Sequence, residues 1–196
     1  MTTFGGLPAH ILLVHAVVGL VPVTALLVVL VAVWPTAGRL LVWLAAALAL
    51  ATLICVPVTT EAGEWLERRV ERTALLRAHT ELGDTMLPWM IALAVVAFAF
   101  LARKLLADRA GRREASVAAA DGPGAVRAPS GEQQSRATAG PGGRVVSLVL
   151  AVLAVVTAVG SVVTVYRIGD SGARAVWTGQ FSEQAQPPPF GHPPAG

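Results

Sequence analysis

Four apolar runs without an Asp, Glu, Lys or Arg constrain this chain more than any other feature. They cover residues 7–33, 40–60, 85–102 and 145–166. A helix rises about 1.5 Å per residue, so about 20 such residues cross the hydrocarbon of a bilayer. Each run is close to that length. The expected fold is all-α: an integral membrane four-helix bundle whose neighbouring helices are antiparallel. Composition agrees. Charged residues make up 14% of the 196 residues and hydrophobic ones 55%, whereas soluble domains carry about 25% charged residues.

Between the runs the chain reads as follows. Residues 36–39 are a tight loop, which forces the first two spans together. Pro22 sits mid-span and Pro57 at the far end of the second span. Trp34 and Trp43 anchor one interface. Ala45, Ala46, Ala47, Ala49 and Ala51 on the second span, and Ala151, Ala154 and Ala158 on the fourth, are small-residue packing faces. Cys55 is a lone apolar packing residue. Residues 61–82 carry Trp65, Leu66, Val70, Ala74 and Leu75 at helical spacing with charges between them. That pattern predicts a short amphipathic helix between spans two and three. Asp84 is the candidate N-cap of the third span, with Pro88 in its first turn. Residues 107–143 hold almost no large apolar side chain and read as a disordered loop. The Pro-rich stretch 178–196 reads as a disordered tail. The membrane domain is thus residues 1–177.

The first run is not a signal peptide, because no basic residue precedes it and it is longer than a signal h-region. Basic residues flank the spans rather than interleaving with aromatics, which argues against nucleic acid as a partner. Nearly every cation is arginine, with Lys104 the single lysine; with the abundance of Ala and Val, that is the coding style of a high-GC bacterium. The side holding residues 36–39 and 103–144 carries nine basic residues and the other side six. The positive-inside rule then puts loop 103–144 in the cytoplasm of a bacterial plasma membrane and both termini outside.

The residues with chemistry in them are histidines. His10 and His15 lie at the start of the first span and His79 just before the third, all at one end of the bundle. His10 and His15 are about 140° apart around a helix, so they cannot share a metal. One of them with His79, from another helix, could give two axial imidazoles to a haem b. Counting helical rise matches His79 to His10; an earlier, inward-shifted third helix would match it to His15. The bland alternative is three histidines at the interface with wet polar edges, and a proton relay with Glu61, Glu64 or Asp84 is a third. Gly169-Asp170-Ser171-Gly172 resembles the surroundings of a serine-protease nucleophile. No β-barrel pattern supports that chemistry, so it reads as a Gly-rich turn after a helix end. No catalytic motif is present, and the expectation is not an enzyme.

The opening Leu7-Pro8-Ala9-His10 with His15 and Pro22, His79 with Gly83, and Gly169–Ala173 through Val176-Trp177 resemble an uncharacterised bacterial multi-span membrane family. That family is known as domain of unknown function 2231. The resemblance covers most of residues 5–177 outside the 107–143 loop. It implies a four-span fold, carries over to His10, His15 and His79, and implies no activity. The family's usual Pro after the first His is Ile11 here. Three functions compete: an accessory bundle that self-associates or assembles with other membrane proteins, a haem or metal electron carrier, and a transporter component. The third has the least support, since no charge lies inside a span.

Overall fold

The computed structural model describes residues 3–4, 6–120 and 141–180. Two short strands, β1 (Thr3–Phe4) and β2 (Leu7–Pro8), pair antiparallel about Gly6, whose positive φ closes the turn. Among the described residues five helices follow: α1 (Ala9–Val33), α2 (Pro35–Glu67), α3 (Ala74–Asp84), α4 (Met86–Ala120) and α5 (Pro141–Trp177). Four of them are long and apolar enough to cross a membrane. The chain is an all-α, multi-pass membrane bundle. Around the ring, α1 packs on α2 and α5, and α4 packs on α2 and α5, while α3 lies against α5 and α2.

Why these helices need lipid follows from their surfaces. Only 28% to 33% of each apolar window is buried inside the bundle. Leu40, Leu148, Val95 and Leu26 stand exposed, which an aqueous surface of this area would not tolerate. The interior is built from small side chains. Ala45, Ala46 and Ala49 of α2 and Ala154 and Ala158 of α5 are buried, while Ala47 and Ala51 face outward. Small residues let backbones approach, and in lipid that close packing is what drives association. Val21, Val28, Met86, Met90 and Leu93 fill the remaining space. Cys55 packs against this core.

Among the described residues six are buried and polar, all Thr or Ser: Thr24, Thr52, Thr59, Thr157, Ser161 and Thr164. Thr52 donates to the Leu48 carbonyl at 2.7 Å, Thr59 to Cys55, Thr157 to Leu153 and Ser161 to Thr157. This back-bonding to the preceding turn lets a hydroxyl enter apolar surroundings. Because the Thr52 proton is committed to Leu48, its oxygen accepts from Thr24 at 3.2 Å across α1 and α2. Thr52→Val removes that acceptor. It should lower unfolding free energy by about 0.6–1.7 kcal/mol, the range for hydrogen bonds between membrane helices, read by SDS titration in mixed micelles.

Several expectations are corrected. Residues 36–39 are not a loop: α2 begins at Pro35, a residue suited to a first helical turn, and Gly38 N–H already bonds the Trp34 carbonyl. Trp34 alone joins the two helices. A Cβ on Gly38 would lie 2.8 Å from the Val31 carbonyl oxygen, so glycine permits this close crossing. Pro57 lies inside α2 rather than at a span's end. The amphipathic segment is two pieces. Its first residues, through Glu67, extend α2; the chain then breaks at 68–73, and Thr73 caps α3 by accepting from the Leu76 N–H at 3.1 Å. Glu64–Arg68 and Glu67–Arg72 ion pairs lie at the break. Asp84 ends α3 instead of capping α4; the Thr85 hydroxyl donates to Leu82 there. Residues 107–120, expected to be disordered, continue α4, and 141–143 begin α5. Strong helix formers and the Lys104–Asp108 pair at 2.9 Å support that extension. The rest of that expected loop, 121–140, and the tail from 181 lie outside the described residues.

Candidate functional site: two histidines seated on two glycines

At one end of the bundle the start of α1, the extension of α2, all of α3 and the last turns of α5 converge. His10 is half-buried in the first turn of α1. Its Nδ1 lies 3.0 Å from the Thr59 carbonyl of α2. A carbonyl only accepts, so Nδ1 carries the proton. Four residues on, Gly63 leaves the room for this: a Cβ there would lie 2.9 Å from the His10 Cε1.

His79, in the middle of α3, repeats the arrangement on the opposite helix. Its Nδ1 lies 3.0 Å from the Ser171 hydroxyl of α5. Ser171 donates its own proton to the Ile168 carbonyl at 2.8 Å, so its oxygen accepts from His79. A Cβ on the neighbouring Gly172 would lie 3.0 Å from the His79 Cε1. Each imidazole therefore makes an Nδ1 hydrogen bond to an oxygen and is seated on one glycine. In the neutral ring, Nε2 is then the free lone pair.

The charge of His10 reaches His79. His79 belongs to the polar segment outside the apolar runs, and its pKa is lowered. Burial is the main cause and the charge of His10 the second; a hydrogen bond to the Ile168 backbone opposes both. His10 and His79 thus share one electrostatic neighbourhood. His15 does not join them. It is exposed on the outer face of α1, and its Nδ1 bonds the Ile11 carbonyl one turn back at 2.6 Å. Of the two matches, His10 is the ring whose charge acts on His79, although α3 begins near Leu75, the start that was expected to favour His15.

The lowered pKa has a consequence for stability. The unfolded chain protonates His79 at its ordinary value near 6.5, and the folded chain at a lower pH. Between the two the unfolded state holds more protons, so stability rises with pH there. Stability should be level above pH 6.5, fall as the pH drops below it, and level off beneath the folded pKa. A thermal-unfolding series in detergent checks this, and His79→Gln should flatten that step.

Chemically, the site offers two imidazole lone pairs whose other nitrogens are fixed by oxygen acceptors. That second-shell bond orients a ligating histidine and raises its basicity. No cluster of three or more His, Cys, Asp or Glu able to hold a metal occurs among the described residues. A closed four-ligand zinc site therefore does not fit. If a haem iron or a copper-type ion were bound here, His10 and His79, from separate helices, are the residues that would hold it.

Glu61 and Glu64 are exposed, and Asp84 lies at the far end of α3. None has a hydrogen bond to either ring. The sequence reading missed Thr59, Gly63, Ile168, Ser171 and Gly172. The Gly169–Gly172 stretch, whose composition predicts a turn, is inside α5, where Asp170 pairs with Arg174 at 2.9 Å. A glycine or hydroxyl in a helix, at the depth of a histidine on another helix, was the available signal. Against known proteins, the chain matches no family model, no curated protein and no solved structure.

Proposed function

We propose that this chain is a small accessory component of a bacterial plasma membrane, working by assembly with itself or with other membrane proteins. The carrying observation is the bundle interior. It is closed by alanine, valine, methionine and locally bonded hydroxyls, with no buried charged residue among the described ones. Transport paths ordinarily need such charges or broken helices. Membership of the family of unknown function that the sequence resembles is part of this proposal, resting on His10, His15 and His79.

A second reading is favoured by one specific observation, the matched fixing of His10 and His79 through Nδ1. Under it the protein binds haem b or a transition metal through the two Nε2 atoms and carries electrons. When bound, haem would supply one-electron redox chemistry; the chain's residues hold and orient the ligands. An absorption spectrum of protein purified in mild detergent separates the readings. A clean spectrum, unchanged on adding haemin, supports the accessory role. A Soret band with sharp reduced α and β bands, lost in His79→Ala, supports the second.

Orientation is part of the proposal. The basic bias places Arg103 to Arg113 of α4 in the cytoplasm. A cysteine in place of Ser116, in a Cys55→Ser background, should resist a membrane-impermeant thiol reagent in intact cells; rapid labelling would reverse the orientation.

A further inference from the structure

The other end of the bundle carries a cleft of about 140 Å³ where α1 ends, α2 begins and α4 passes, lined by Val31, Gly38, Arg39, Val42, Phe100 and Lys104. Its composition is split. Val31, Val42 and Phe100 belong to the apolar runs. Arg39 and Lys104 lie at their ends, where hydrocarbon gives way to headgroups. Gly38 keeps the floor open, since it presents no side chain and its backbone lies directly on Val31.

The charges here are not used up internally. Arg39 is exposed and has no acidic partner among the described residues. Lys104 gives one of its three ammonium protons to Asp108 at 2.9 Å, leaving two. One to three turns further along α4, Arg109, Arg112 and Arg113 line a second cleft of about 290 Å³. Most of the acidic residues, Glu61 to Asp84 and Asp170, lie at the opposite end of the molecule. The basic end carries Arg39, Lys104, Arg109, Arg112 and Arg113 against Asp108 and Glu114 among the described residues, a net cationic rim beside an apolar groove.

We propose that the Arg39–Lys104 cleft binds the phosphodiester headgroup of an anionic phospholipid, with an acyl chain lying along Val42 and Phe100. The chemistry asks for one anion and an apolar tail on the same molecule, at headgroup depth. Arginine offers a planar fork of donors to phosphate and lysine a mobile point charge. The volume suits a phosphate group rather than a whole lipid, so the chains stay in the bilayer. A free phosphate ion satisfies the charges and leaves the apolar wall without a partner.

The test uses the full-length protein in nanodiscs of equal phosphatidylcholine and phosphatidylglycerol, with retained lipid counted by native mass spectrometry. Wild type should retain phosphatidylglycerol in clear excess. A basic residue near an anionic surface contributes about fivefold, so Arg39→Gln with Lys104→Gln should cut that excess by about 25-fold. Arg39→Lys with Lys104→Arg should keep it. Arg68→Gln with Arg174→Gln, at the other end, should leave it unchanged. If the double glutamine variant does not fold, the wild type still decides: the excess should fall as salt is raised. Undiminished retention in the glutamine variant, insensitivity to salt, or displacement by millimolar inorganic phosphate would each overturn the assignment. The last of these would mark a site for soluble anions.

Discussion

Gly160→Ala should destabilise the bundle even though alanine is the better helix former. Trp89 of α4 lies across α5 at this glycine, and a Cβ would fall against the Cζ3, Cη2 and Cε3 atoms of its indole. The ring is rigid and half-buried, so it cannot fold away as a long aliphatic side chain would. Either the ring leaves its place or α4 and α5 separate. Overpacking of this kind costs about 1–3 kcal/mol, which exceeds the gain of about 1 kcal/mol from replacing a helical glycine by alanine. Gly160→Leu should cost more than the alanine variant. Gly169, in the same helix, has nothing within 4 Å of its Cβ position. Gly169→Ala should therefore be neutral or stabilising. SDS-titrated unfolding of the two alanine variants gives opposite signs on this account; equal effects would mean that α4 and α5 do not meet at Trp89.

Gly63→Val and Gly172→Val should behave differently, changing the histidines while leaving the bundle nearly as stable. The atoms a new side chain would meet are the far ends of His10 and His79. An imidazole can swing about its own torsions, so the helices need not move. What is lost is the Nδ1 hydrogen bond to Thr59 or to Ser171. Removing a second-shell partner lowers metal affinity by about 10- to 100-fold where the histidine ligates. Under the metal-binding reading, Cu²⁺ added as a probe should bind each valine variant that much more weakly than wild type. In Gly172→Val the His79 ring should also move out of its buried position, and its pKa should rise toward the ordinary value. Electron paramagnetic resonance of bound Cu²⁺ and an NMR titration of the ring measure the two effects.

How much of this was legible in the sequence varies with the physics involved. The four spans were, because a bilayer imposes one length and one polarity on any helix that crosses it. Their ends were less so. Glu61 to Glu67 reads as the start of a new amphipathic helix, yet it simply continues α2, since nothing before Arg68 interrupts the backbone ladder. The break depends on Thr73 finding the Leu76 N–H, a local cap that competes with further helix. Residues 107–120 lack the apolar face that would bury them, but helix propensity and Lys104–Asp108 carry α4 past the apolar run.

The histidine end was half legible. That His10 and His79 are at one end follows from counting spans. That each is seated on a glycine of a third or fourth helix does not, because Thr59–Gly63 and Ser171–Gly172 become neighbours only once α2 and α5 flank α1 and α3. Ser171 shows this most clearly. Its surroundings suggest a turn by composition, and its role depends on where its one proton goes.

Both imidazoles are held through Nδ1, leaving Nε2 free at the end of the bundle. Histidine-selective ¹⁵N labelling with long-range ¹H–¹⁵N NMR in detergent, above pH 7.5, tests it directly, with His10→Gln and His79→Gln assigning the signals. A protonated Nδ1 and an unprotonated Nε2 are expected on both rings. An Nε2-protonated ring at either position would contradict it.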